Sequence, residues 1–214
     1  ETLVADNYML VESDKEGYDY MAVDKATGSE AVIGDDYYRT LKLAVEAAES
    51  GDVITVLKNV EMTETLKITE GKNVTIDLNN KSIKAPESVL HVENAKVKLT
   101  GTGTIEESAP NLGAVVIYGS DNVSDTEYTK VYIDENVTLI GWSPIMIRQT
   151  TSKNAYGVVV DIYGTLEGVN DKTGAVGHGM FINGSISDDE NCPVVNIYEG
   201  AEITGTDDGI YAAG

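Results

Sequence analysis

Val74-Thr75-Ile76 returns as Val97-Lys98-Leu99, Val131-Tyr132-Ile133, Val160-Asp161-Ile162 and Val195-Asn196-Ile197, at uneven spacing, each triplet apolar at both ends and variable at its centre. Apolar β-branched residues at alternate positions suit a strand with one buried face. A second short strand follows each, centred on Ile83, Ile105, Leu139, Leu166 and Ile203, with Gly101, Gly103, Gly141, Gly164, Gly168, Gly200 and Gly205 around these strands. A third strand follows in Val89-Leu90-His91-Val92, Val115-Val116-Ile117-Tyr118, Ile145-Met146-Ile147-Arg148, Gly179-Met180-Phe181-Ile182 and Gly209-Ile210-Tyr211-Ala212. Such recurrence marks a solenoid. It predicts an all-β chain wound as a right-handed parallel β-helix, with three strands per turn and about six turns. Each strand would pair with its equivalent one turn later while alternate side chains fill the interior. Loops of any length can bulge outward from such a coil, which accounts for the uneven spacing; a sandwich would not predict it. Val53-Ile54-Thr55-Val56-Leu57, with Leu66 and Ile68, reads as the opening turn.

Just before that turn, Leu41, Ala44, Val45 and Ala48 share one face of a helix expected over residues 40–50, with Thr40 as N-cap and Gly51 as its stop. This helix would cap the apolar end of the coil and block edge-to-edge pairing there. Tyr8-Met9-Leu10-Val11 and Tyr18-Asp19-Tyr20-Met21-Ala22-Val23, on either side of the polar turn 12–17, predict a short N-terminal β-hairpin. The expected organisation is therefore a leading segment over residues 1–36 and a capped β-helix over 37–214. No cap is visible in the sequence at the far end, so the natural polypeptide is expected to continue past Gly214.

Acidic residues outnumber basic ones 36 to 15, and the net charge of −21 is spread along the chain, which excludes a nucleic-acid binder. The same excess would repel phosphate-rich membranes and acidic polysaccharides unless divalent cations intervened. Cys192 is the only cysteine, so no intramolecular disulfide can form and the fold rests on its core and backbone pairing. No apolar run reaches transmembrane length, so no membrane insertion is expected. The absence of an initiating Met fits a segment freed of a secretion signal or taken from a longer polypeptide.

The passage Ile33-Gly34-Asp35-Asp36-Tyr37-Tyr38-Arg39-Thr40-Leu41, through Ala44, Ala47-Ala48 and Gly51-Asp52-Val53-Ile54-Thr55-Val56-Leu57-Lys58-Asn59-Val60, to Asn73-Val74-Thr75-Ile76-Asp77-Leu78-Asn79, resembles a recurrent entry module. It is similar to that of large surface or secreted proteins of Gram-positive gut bacteria, described as adhesins, whose coils belong to the pectate-lyase-like β-helix superfamily. The tyrosine-rich hairpin resembles theirs too. The resemblance covers about 80 residues closely and the remainder through the looser repeat. It implies a secreted or cell-surface location. It transfers no functional residue, because the matched positions are structural.

That superfamily includes polysaccharide lyases and hydrolases. Gly177-His178-Gly179 and Asp207-Asp208-Gly209 resemble fragments of the polygalacturonase signature, in which carboxylates act as acid and base. Their order is reversed here, the other signature elements are absent, and ordinary turn chemistry accounts for both fragments. A lyase would need a basic residue beside calcium-binding carboxylates. The chain offers Arg39 and Arg148, with Asp134, Asp161 and Asp171 in turns and the acidic run Asp188-Asp189-Glu190-Asn191, but no spacing of a dedicated calcium loop. No catalytic residue, metal ligand or cofactor is therefore read from the sequence.

Two surfaces remain as binding candidates. With Leu90/Val92, Val115/Ile117, Ile145/Ile147, Ile182 and Ile210/Ala212 inside the third strand, an outer column reads His91, Val116, Met146, Phe181 and Tyr211. A contiguous apolar strip is either covered or meant to bind; coverage by the excursions 106–114, 119–129 and 149–157 is the plainer reading, self-association the sharper one. Tyr163 and Tyr198 occupy equivalent positions on successive turns and would offer a sugar platform, or else stack to stabilise their turns. The favoured expectation is a non-enzymatic extracellular stalk or adhesin module contacting a host or bacterial surface protein or glycan. The alternatives are a carbohydrate-active enzyme or its inactive relative, and self-association through the strip or the open C-terminal coil. An enzyme should gather three or more carboxylates, or a basic residue, in one groove.

Overall fold

In a computed structural model of the chain, the described residues are 5–13, 15–108, 112–122, 125, 127–149, 155–171, 173–183 and 192–213. They are mostly β, in parallel sheets stacked as in a β-helix. The first sheet stacks Val53–Val56, Asn73–Asp77, Lys96–Thr100, Thr129–Ile133, Val158–Ile162 and Val194–Ile197. The second stacks Val60–Glu61, Lys81–Ala85, Gly103–Glu107, Val137–Gly141, Thr165–Gly168 and Glu202–Thr204. The third stacks Leu66–Ile68, Leu90–Glu93, Val115–Tyr118, Ile145–Arg148, Met180–Asn183 and Ile210–Ala213.

The register follows the sequence repeat. Val74, Val97, Val131, Val160 and Val195 pair in succession, and so do Ile76, Leu99, Ile133, Ile162 and Ile197. Ile83, Ile105, Leu139, Leu166 and Ile203 form the equivalent file of the second sheet. Because strand side chains alternate, one register shift would turn every apolar side chain outward, so burial fixes the pairing. Ile76, Leu99, Ile133 and Ile162 are wholly buried, whereas Ile197 in the last strand of its sheet is 50% exposed. The corners are not all glycine: Asn79 and Asn80 both take the left-handed conformation, with φ of 47° and 60°. The Asn79 side chain then donates to Val56 O at 3.0 Å, tying the corner to the strand one repeat earlier.

At the opposite end Leu41–Ala47 is helical, and Leu41, Ala44, Val45 and Ala48 are buried against the core. The Thr40 side chain caps it by accepting from Leu43 N at 3.2 Å, and Glu30 Oε2 accepts from Leu41 N at 2.9 Å. The helix stops at Ala47, short of the expected span, where the backbone of Ala48 turns extended with ψ of 134°, and Lys72 reaches across from the next repeat to cap it. Its ammonium donates to the carbonyls of Val45, Glu46 and Ala48 at 2.8, 2.9 and 3.1 Å. A carboxylate at the first turn and an ammonium at the last both complement the helix dipole. Lys72→Met should leave those carbonyls to solvent and lower stability by about 1–2 kcal/mol, read as a shift in urea midpoint; no shift would mean the cap is held by apolar packing alone.

Tyr8–Glu12 and Tyr20–Asp24 form the expected antiparallel pair, Tyr8 opposite Asp24. The boundary expected at residue 36 falls inside a second hairpin, since Ala31–Ile33 pairs antiparallel with both Asp36–Tyr38 and Val53–Val56. Residues from Ala31 onward thus extend the first sheet. Among the described residues no helix is long and apolar enough to cross a membrane.

Candidate functional site

The outer face of the first sheet gathers Lys96, Lys98 and Lys130 on adjacent strands of an acidic chain. Alternation points Thr75, Lys98, Tyr132, Asp161 and Asn196 outward, and the register places Lys98 beside Tyr132 and Lys96 beside Lys130. Asn73, Lys96, Val97, Lys98, Lys130, Tyr132 and Asp161 line a groove of about 300 Å³. Through Asn73 and Lys96 it runs into a wider hollow bordered by Asn94, Asp125, Glu127 and Tyr128. Lys98 Nζ lies 5.9 Å from the centre of the Tyr132 ring, within cation–π range. Lys96 pairs closely with Glu127, and Lys130 lies 3.5 Å from Glu127 and 3.2 Å from Asp161.

Those pairs set the protonation of the groove. The hydrogen bond to Asp161, then the Asp161 and Glu127 charges, hold Lys130 above the ordinary lysine value despite partial burial. Glu127 is held below the usual carboxylate range, first by its hydrogen bond to Lys96. Burial, then the Asp134 charge, push the Tyr132 phenol up. At neutral pH Lys130 is thus a fixed cation and Tyr132 a neutral donor.

Tyr163 and Tyr198 do meet, with ring centres 4.0 Å apart and planes within 5°, and Tyr132 joins them 5.1 Å from Tyr163. The two parallel rings cover one face of each other and Tyr132 lies against Tyr163, so the stack braces adjacent repeats. Asp161 reinforces the brace, accepting from Asn196 Nδ2 at 2.8 Å and Tyr198 OH at 3.4 Å. The Tyr163 hydrogen bond, then burial, raise the Tyr198 phenol above its ordinary value.

The column His91, Val116, Met146, Phe181 and Tyr211 is stacked in the expected register. It is not an open apolar strip, however. Val116 and Met146 are 4% and 3% exposed, and the loop residue Gly113 closes against Met146, where an added Cβ would stand 2.9 Å from Met146 Cβ. His91 lies against Tyr118, ring centres 4.6 Å apart, with Nε2 3.2 Å from Glu93 Oε2. The C-terminal end keeps aromatic surface. There Trp142 packs on Phe181 at 5.8 Å and Phe181 stacks on Tyr211 at 5.2 Å.

The fragments Gly177-His178-Gly179 and Asp207-Asp208-Gly209 come together at this end, one repeat apart, with His178 Nδ1 3.8 Å from Asp208 Oδ2. By contrast Asp134, Asp161 and Asp171 serve separate partners. Asp134 accepts from Tyr132 OH, Asp161 from the groove and Asn196, and Asp171 from Thr173 and Ala175 in its own loop. Those bonds, the Thr173 hydroxyl first, hold the Asp171 carboxyl below its usual range. Arg39 lines a hollow at the N-terminal hairpin, and Arg148 ends a third-sheet strand opposite Tyr118; neither lines the lysine groove. The run Asp188 to Asn191 lies outside the described residues.

Sequence reasoning missed the lysine groove because its members lie in strands whose centres look merely variable. The signal was there: Lys96, Lys98, Lys130 and Tyr132 all fall at or beside outward positions of adjacent triplets. Comparison with protein-family models, with curated proteins and with solved structures finds no match for this chain.

Proposed function

We propose that the chain is a right-handed parallel β-helix with three strands per turn, from an extracellular surface protein of the pectate-lyase-like kind, and that it is a non-enzymatic adhesin or stalk module. Its contact face is the first sheet, and its ligand is a glycan bearing carboxylate or sulfate groups. Parallel strands joined by crossovers favour the right hand on twist grounds. The observation that carries the binding reading is Lys98 over the Tyr132 ring, in a groove where Lys96 and Lys130 are held by Glu127 and Asp161. Net charge acts at long range and is screened beyond about 8–10 Å, whereas groove charges act at contact. Lys96 and Lys130 are matched by Glu127 and Asp161, so the attraction for an anionic sugar rests on Lys98 beside the aromatic face of Tyr132.

A polysaccharide lyase is the second reading, because basic residues do gather in one groove. Proton abstraction needs a lysine or arginine that can shed its proton near neutral pH, and the Asp161 bond drives Lys130 the other way. Lys130 is thus unsuited to removing a proton. On an array of neutral, uronate-bearing and sulfated glycans, the chain should retain the anionic members. Tyr132→Ala and Lys98→Ala should each weaken retention about tenfold without changing the melting temperature by more than a few degrees. Equal binding to neutral and anionic glycans, or unchanged binding by both variants, would remove the groove from the function. Release of unsaturated oligosaccharide would favour the lyase.

A further inference from the structure

We propose that His178, Asp207 and Asp208 form a binding site for a divalent transition ion of the zinc class. The site lies at the approach to the third sheet and does not depend on the lysine groove of the first. His178 is 7% exposed, and its Nδ1 is buried without a hydrogen-bond partner. Buried polar atoms in folded proteins are almost always paired, so a bare imidazole nitrogen points to a ligand. It faces the Asp208 carboxylate at 3.8 Å, too far for a hydrogen bond. One donor atom from each of His178, Asp207 and Asp208 lies within 4.8 Å of the others. An ion with bonds of about 2.0–2.1 Å in tetrahedral geometry holds neighbouring donors about 3.4 Å apart. Both aspartates are exposed, so rotation of their side chains closes the difference.

The backbone holds this arrangement from both sides. Asp207 N donates to Gly177 O at 3.0 Å, Gly179 N donates to Asp208 O at 3.0 Å, and Gly177 N donates to Thr206 Oγ1 at 2.6 Å. The turn bearing the two carboxylates is thereby pinned over the residues flanking His178. The imidazole is fenced by Trp142 edge-on at 5.4 Å and by Tyr211 stacked at 4.9 Å, which limits its rotation. An imidazole with two carboxylates suits zinc, manganese, cobalt or nickel; calcium prefers six to eight oxygens, and here nitrogen is the buried donor. Three protein donors leave at least one position open to water or to a ligand oxygen.

The test is calorimetric titration of the chelator-treated chain with Zn²⁺, in excess Mg²⁺ and Ca²⁺ to occupy its diffuse acidic surface. Co²⁺ is the absorbance probe of geometry. One equivalent should bind, and Asp208→Asn and Asp207→Asn should each weaken binding by at least about tenfold, the loss that removal of even an outer partner brings. Glu199→Gln, on an exposed turn elsewhere, should not. The His178 ring signals in an NMR spectrum should shift on adding Zn²⁺. Because both aspartates are exposed, their variants keep the fold, and the thermal melt confirms it. The proposal is overturned by an absence of stoichiometric binding, or by binding that both aspartate variants leave intact. A glycan array negative in the groove assay leaves this titration unaffected, so the two readings fail separately.

Discussion

Ile133→Ala should lower the unfolding free energy by about 2–5 kcal/mol, the range for truncating a fully buried aliphatic side chain in a packed core. Ile133 is wholly buried and sits between Leu99 and Ile162 in the same interior file, with a strand hydrogen-bonded on each side. Neither neighbour can collapse into the vacated space without breaking its own pairing, so most of the cavity persists. Ile197→Ala gives the internal control, since Ile197 is its equivalent in the file but is half exposed. Its loss should stay below about 1 kcal/mol, because little apolar surface leaves water there. Urea denaturation followed by circular dichroism compares the two. Equal losses at both positions would mean that the file is not stacked as described.

Gly164→Val should be as damaging through the opposite mechanism. A Cβ at Gly164 would overlap the carbonyl oxygens of Asp134 and Val137, both backbone atoms of the corner one repeat earlier. Strand spacing of about 4.8 Å leaves no room for corners to separate without breaking ladders in adjoining sheets. The expected loss is about 3 kcal/mol or more, the upper part of the range for overpacked sites, with a matching drop in soluble yield. Gly17 supplies the contrast. It has φ of 87°, and a Cβ added there would meet nothing within 4 Å, so Gly17→Ala should cost only about 1 kcal/mol of backbone strain. A Gly164→Val protein as stable as the parent would show that the corners do not stack closely.

Legibility in the sequence depended on the range of the interaction. The triplets ending in Ile76, Leu99, Ile133, Ile162 and Ile197 could be aligned because a half-buried strand imposes a period of two, whatever the loops between them do. The helix face of Leu41, Ala44, Val45 and Ala48 was readable for the same reason, with period 3.6. Lys72 was not: it caps a helix that precedes it by more than twenty residues, and nothing local distinguishes it from a solvated lysine. The outer column was placed in register correctly, and the cover over Met146 comes from Gly113, within the excursion 106–114 that the sequence offered for it.

The strand repeat, its pairing register, the interior files and the capped end are all written in the order of residues, because each is a periodic demand that apolar side chains make on a regular backbone. Which outward side chains meet was settled by the folded chain and nothing short of it. Folding gathered Lys96, Lys98, Lys130 and Tyr132 into one groove, turned Tyr163 and Tyr198 into a mutual brace, and set His178 beneath Asp207 and Asp208. Those meetings occur across a single stacking step between loops of unequal length. Separation along the chain therefore says little about proximity, while the vertical hydrogen-bond ladder fixes it.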